Sequence, residues 1–202
     1  MMVYGLVGGI AAGKSTVSNF LSFRHMPVFD YDLEIHNLYE AKSERGELLY
    51  KTILDLLPEA VANCHIDRAY MSNWFFGNPD ADIANRINGE IMFHMECAVA
   101  EWLAEHRWKT DTRVVILDVP PMYSIGWNRY CDDLIFVDCP LECRIERALA
   151  RPNMTRDKLD RILELQKDYP AMRARSRFII DTSGTLEETH DQLETIILDI
   201  TE

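Results

Sequence analysis

The nine residues Gly8-Gly9-Ile10-Ala11-Ala12-Gly13-Lys14-Ser15-Thr16 constrain this chain more than any other stretch of it. They follow an apolar run, Val3–Val7, and precede a helical pattern whose Val17, Phe20 and Leu21 share a face. A strand, a glycine-rich turn and a helix in that order form a cradle for phosphate. The glycines let backbone N–H groups curl around phosphate oxygens without a Cβ in the way, and the helix N-terminus adds partial positive charge. In such a cradle Lys14 bridges the β and γ phosphates of ATP, and the Ser15 hydroxyl is a ligand for Mg2+. Gly9, Ile10, Ala11, Ala12, Gly13, Lys14, Ser15 and Thr16 are therefore the expected nucleotide-binding residues.

The rest of the chain reads as the fold that carries such a loop. Short apolar runs at Val3–Val7, Pro27–Phe29, Arg113–Leu117, Asp133–Val137 and Phe178–Ile180 are near-continuous rather than alternating, as in strands buried on both faces. Helical patterns lie between and after them, at about 14–24, 32–39, 46–57, 68–76, 80–107, 141–150, 155–166 and 185–200. The alternation predicts an α/β fold with three layers and an open, parallel, five-stranded sheet. Residues 33–110 have no convincing strand and read as a helical insertion covering an acceptor. Residues 151–176 read as a small lid. The nucleotide core is then residues 1–32, 111–150 and 177–202.

Charge divides along the same lines. The chain has a formal charge of −12, which argues against nucleic acid or an anionic membrane as a partner. Residues 144–177 nevertheless hold ten of the twenty-one Lys and Arg against five acids. Arginines on a closing lid can stabilise charge on a transferring phosphoryl group and exclude water, whereas charge runs in general are solvated helix faces. Arg147 and Arg151, four apart on one helix face, are the best candidates. Asp118 ends a buried strand and is the expected second Mg2+ ligand; alone it would read as a turn cap. Asp30 and Asp32 close another strand and share a side if the segment is still extended there. Asp32 is the expected general base, with helix capping as the competing role. Trp74-Phe75-Phe76, Trp102 and Trp108 read as core. Five cysteines without a CxxC pair or zinc spacing imply reduced thiols and a cytoplasmic protein. No segment reaches membrane-spanning length.

Taken together, these segments resemble the dephospho-coenzyme A kinase family over nearly the whole chain. The resemblance is carried by Gly5–Thr16, Val28-Phe29-Asp30-Tyr31-Asp32, Ile66-Asp67-Arg68-Ala69 through Phe76-Gly77-Asn78-Pro79, and Leu117-Asp118-Val119-Pro120. It continues through Val137-Asp138-Cys139-Pro140, Arg147, Arg151, Thr155-Arg156, Gln166 and Ile180-Asp181-Thr182-Ser183-Gly184. It implies ATP-dependent phosphorylation of the ribose 3′-hydroxyl of dephospho-coenzyme A, the final step of coenzyme A synthesis. It also implies Asp32 as base, Arg147 and Arg151 as lid arginines, and Thr182, Ser183 and Gly184 against the adenine. The chain departs from the family pattern at Met92-Phe93 (His-Pro in the family), Tyr123-Ser124, Arg177-Phe178, and at Tyr169 and Met172, where arginines are usual. Alternatives are a nucleoside or nucleoside monophosphate kinase of the same fold, or a non-catalytic nucleotide-binding relative. A GTPase is disfavoured, since no Asn-Lys-x-Asp segment occurs.

Overall fold

A computed structural model describes residues 1–77, 79–109, 111–118 and 129–201. These divide into two compact units, Met1–Asp30 with His106–Glu202, and Tyr31–Glu105.

The first unit is built on five parallel strands: β1 (Met2–Gly8), β2 (Val28–Asp30), β5 (Val114–Asp118), β6 (Asp133–Asp138) and β7 (Phe178–Asp181), in the order β2-β5-β1-β6-β7. Each expected strand is present to within a residue or two. β1 and β5 are almost entirely buried, which is why their sequences show no polar alternation. Successive side chains still separate by face. Tyr4, Leu6, Ile135 and Val137 join a core with Val17 and Leu21 of α1 (Lys14–Phe23) and Leu193, Ile196 and Ile200 of α9 (Leu186–Thr201). Val7 and Phe136 point to the other face, where they meet Tyr169. Thr185 starts α9 with a reciprocal cap: Glu188 N–H donates to its hydroxyl, and its own N–H donates to the Glu188 carboxylate.

Residues 151–176, expected as a lid, pack here as part of this unit. They follow α6 (Leu141–Leu149) and contain α7 (Arg156–Leu165), capped by Thr155, and α8 (Tyr169–Arg175). Leu159 of α7 and Ala148 of α6 are buried with Ala11 of the glycine-rich turn, and Ile10, Ile145 and Leu163 pack on them. The seven-residue α8 was not expected from sequence.

The second unit contains α2 (Tyr31–Tyr39), α3 (Glu44–Leu56), a single 3-10 turn (Pro58–Ala60), α4 (Arg68–Phe76) and most of α5 (Ala81–Arg107). It also holds an antiparallel hairpin, β3 (Val61–Ala62) with β4 (His65–Ile66), so the expectation of no strand between 33 and 110 is corrected. The hairpin turns at Asn63 and Cys64, both at positive φ. Ser43 caps α3 and Asp67 caps α4, each accepting from the N–H three residues on. Ile87, Ile91, Met95 and Val99 form the buried stripe of α5, with Leu49 and Ile53 buried on α3. Trp74, Phe75, Phe76 and Trp102 are half-buried. Trp108, expected in a core, is 87% exposed.

Candidate active site

The carboxyl ends of the five strands come level with one another, since Leu6 and Asp30 both pair with Asp118, Gly8 pairs with Val137, and Asp138 pairs with Asp181. Ligands of open parallel sheets gather at this edge. The phosphate-binding turn leaves β1 here. Ala11 (φ 58°) and Gly13 (φ 91°) occupy the left-handed region and close the turn, with Ala12 N–H donating to the Gly9 carbonyl at 3.0 Å. Gly13 has a second constraint: a Cβ there would sit 3.3 Å from Thr182 Oγ1. Thr182 is buried, and its hydroxyl donates to the Ala12 carbonyl at 2.6 Å, with the Asp138 carbonyl at 3.1 Å. The turn is thus tied to the end of β7.

Lys14 forms an ion pair with the buried Asp118. Burial raises the Asp118 carboxyl above its ordinary range, against the lowering effect of Lys14 and of a hydrogen bond from Ser18. Ser18, one helical turn beyond Lys14, is a contact that the sequence reading missed. Ser15 is exposed in the first turn of α1. A hydroxyl and a carboxylate at this edge are hard oxygen donors of the kind Mg2+ takes alongside phosphate and water. Among the described residues no three His, Cys, Asp or Glu side chains converge as a cage. One hydroxyl and one carboxylate fit a metal held jointly with a phosphate.

Two cavities flank the turn, each of about 350 Å3. One is lined by Ala11, Gly13, Thr16, Arg147, Arg151, Thr182 and Gly184, with the start of α9. Arg147 donates from Nη2 to the Thr182 carbonyl at 2.9 Å and from Nη1 to Cys139 Sγ at 3.4 Å. Arg147 and Arg151, expected as lid arginines, and Thr182 and Gly184, expected against the adenine, thus line one cavity beside Gly13 and Thr16. Ser183 does not line this cavity; its N–H donates to the Asp181 carboxylate, and its side-chain hydrogen bond together with that backbone one holds the carboxyl below its ordinary range.

The second cavity lies against Gly9, between β6, α6, α7 and α8. Here Gln166 Oε1 accepts the Ile10 N–H at 2.9 Å, and the buried Tyr169 hydroxyl donates to the Gly8 carbonyl at 2.8 Å. Burial pushes the Tyr169 hydroxyl above its ordinary range, partly offset by the nearby Arg144 charge. Arg144 donates from Nε to the Cys139 carbonyl at 3.1 Å, and its guanidinium lies where a side chain on Gly9 would go. Arg144 and Tyr169 were not among the expected site residues. The sequence signals for Arg144 were its place at the start of the basic segment 144–177 and one turn before Arg147.

Asp32 belongs to the second unit, exposed in the first turn of α2. The strand stops at Asp30 and the helix begins at Tyr31, so the expected sharing of one strand face by Asp30 and Asp32 does not occur. Tyr123 and Ser124 lie outside the described residues.

A family model for dephospho-CoA kinase matches residues 2–188. The chain belongs to the dephospho-CoA kinase family. A dephospho-CoA kinase of Rhodopseudomonas palustris (strain CGA009) is 31% identical over 197 residues, covering 98% of this chain and 94% of the relative. Among solved structures, TT1252 from Thermus thermophilus superposes with a TM-score of 0.77 at 24% identity, covering 100% of this chain and 98% of that one. The dephospho-CoA kinase from Campylobacter jejuni gives 0.70 at 16% identity, covering 98% and 96%. These likenesses support the five-stranded architecture. Membership of a kinase family makes this chain a phosphotransferase with an alcohol group as acceptor.

Proposed function

We propose that this protein transfers the γ-phosphoryl group of ATP to the ribose 3′-hydroxyl of dephospho-coenzyme A, the final step of coenzyme A biosynthesis. The observation that carries this reading is the assembled donor edge, in a chain of this family: a phosphate turn whose Lys14 already faces a buried Asp118. On nucleotide binding, Lys14 exchanges part of its pairing with Asp118 for the β and γ phosphates. Ser15 and Asp118 would hold Mg2+, which when bound would offset phosphate charge. Thr182 and Gly184, with Arg147 and Arg151, form the nucleoside side of the donor site. Asp32 accepts the proton of the acceptor hydroxyl. The segment 33–110 receives the acceptor, and 151–176 covers the phosphates and limits hydrolysis by water. Five free cysteines fit a reducing, cytoplasmic setting, and no described helix is long and apolar enough to cross a membrane.

The test is turnover of Mg-ATP with dephospho-coenzyme A, nucleosides and nucleoside monophosphates offered separately. The expected result is ADP release dependent on dephospho-coenzyme A. Turnover only with a nucleoside or nucleotide would overturn the acceptor assignment. The Asp32→Asn variant should bind ATP as the wild type does while transfer falls by about 10²–10⁴-fold.

A further inference from the structure

The cavity against Gly9 raises a question that the donor-site assignment leaves open: which cation meets the terminal phosphate. Arg147 and Arg151 line the other cavity, which touches the turn at Ala11, Gly13 and Thr16. A nucleoside seated there sends its phosphates along the turn, away from Gly184 and towards the Gly9–Ile10 end. At that end the family pattern implies arginines at positions that here hold Tyr169 and Met172, both uncharged and both packed with Val7 and Phe136. Arg173 lines the Gly9 cavity, but its Nε donates to the Asp138 carboxylate at 2.7 Å. Lys167 also lines it, but is largely exposed and lies 3.6 Å from the Glu164 carboxylate.

Arg144 is different in each respect. It is half-buried, and among the described residues it has no carboxylate partner. Its Nε is fixed by the Cys139 carbonyl, which leaves the terminal nitrogens of the guanidinium directed at Gly9. Gln166 stands on the same wall and fixes the neighbouring Ile10 N–H. A partly desolvated, pre-oriented guanidinium is the strongest side-chain partner for a phosphate oxygen. We propose that Arg144 is the charge-stabilising residue for the γ-phosphoryl group in this chain, supplied from α6 in place of arginines at positions 169 and 172. This rests on the donor-site reading above.

The experiment compares binding of two probes, Mg-AMP-PNP and Mg-ADP, to the wild type and to Arg144→Gln, Arg144→Lys and Arg147→Gln by calorimetry. Loss of one charge-assisted contact to the γ-phosphate corresponds to about 10- to 100-fold in affinity. Arg144→Gln should lose that factor for AMP-PNP while ADP binding changes by less than about twofold, with Arg144→Lys in between. Arg147→Gln should weaken both probes alike. Equal loss of both probes in Arg144→Gln, or loss of neither, would overturn the proposal and leave Arg144 as a brace for Gly9. Thermal melts of each variant separate misfolding from this outcome, because misfolding also lowers ADP binding. The binding comparison uses no acceptor, so failure of the wild type to phosphorylate dephospho-coenzyme A would refute the acceptor assignment alone. A wild type that binds neither probe would overturn both.

Discussion

Thr182 offers the sharpest test of how the phosphate turn keeps its shape. Its hydroxyl donates to the carbonyl of Ala12, a residue 1% exposed, across 170 positions of sequence. Its methyl group lies against Gly13, at 3.4 Å from the place a Cβ would take. Thr182→Val keeps the volume and removes the donor, so the Ala12 carbonyl loses its hydrogen bond away from water. That costs about 1–3 kcal/mol. For a chain of this size each kcal/mol moves the melting temperature by about 2–4 °C, so a fall of about 2–12 °C is expected. Thr182→Ser keeps the hydroxyl and loses one methyl, costing about 0.8 kcal/mol.

The functional consequence follows from the same bond. Releasing the Ala12 carbonyl lets that peptide rotate, and the N–H groups of the turn must then be reordered when phosphate binds. Nucleotide affinity in Thr182→Val should therefore fall by about tenfold, the equivalent of one neutral hydrogen bond, while Thr182→Ser stays within about threefold of wild type. Differential scanning calorimetry and ADP titration read the two quantities separately. A serine variant as impaired as the valine variant would show that packing on Gly13, not the hydrogen bond, holds the turn. Wild-type melting and affinity in the valine variant would refute the reasoning altogether.

Other expectations concern the same edge. Burial raises the Asp118 carboxyl, so the unliganded protein should lose stability from this group as pH rises through the interval between the ordinary and the raised value; Asp118→Asn should flatten that slope in pH-dependent melts. For the same reason Mg2+-dependent ATP binding should weaken on acidification at a pH above the ordinary carboxylate range, and Asp118→Asn should remove the Mg2+ dependence. Tyr169→Phe should cost about 1–2 kcal/mol by leaving the Gly8 carbonyl without its donor, measured by urea denaturation. Tyr169→Arg, which restores the family's usual residue, should cost more, because it places a charge among Val7 and Phe136. The Cys131 thiol, pushed up to about 12 by burial, should resist iodoacetamide at pH 8 while the exposed Cys64 is alkylated, as peptide mass spectrometry would show.

What the sequence revealed and what it hid follow from the range of the interactions involved. The strands were legible because burial on both faces leaves a continuous apolar run, and the phosphate turn because its glycines, lysine and serine are local necessities. The hairpin at Val61–Ile66 was hidden because two residues per strand cannot express a period. α8 was hidden because seven residues containing Pro170 carry too little periodicity to separate from a loop. Gln166 to Ile10 and Tyr169 to Gly8 join positions more than 150 residues apart, and no local pattern announces such pairs.

The aspartates at the strand ends show the limit most clearly. In four of the five sheet strands the last residue is aspartate: Asp30, Asp118, Asp138 and Asp181. Taken alone each is an acid closing an apolar run, and Asp118 is expected as a metal ligand only in company with the phosphate turn. Asp181 accepts the Ser183 N–H and shapes the turn that presents Thr182 and Gly184. Asp138 takes the Arg173 guanidinium with its carboxylate, while its carbonyl accepts the Thr182 N–H. Asp118 is buried against Lys14 at the start of the helix that follows the turn. Strand order decides among them: β5 and β6 both flank β1, but only β5 lays its carboxylate beside the turn's own lysine. The acid proposed to hold Mg2+ is therefore singled out by which strand lies next to β1 and which cation faces it, and neither is a property of the strand that carries it.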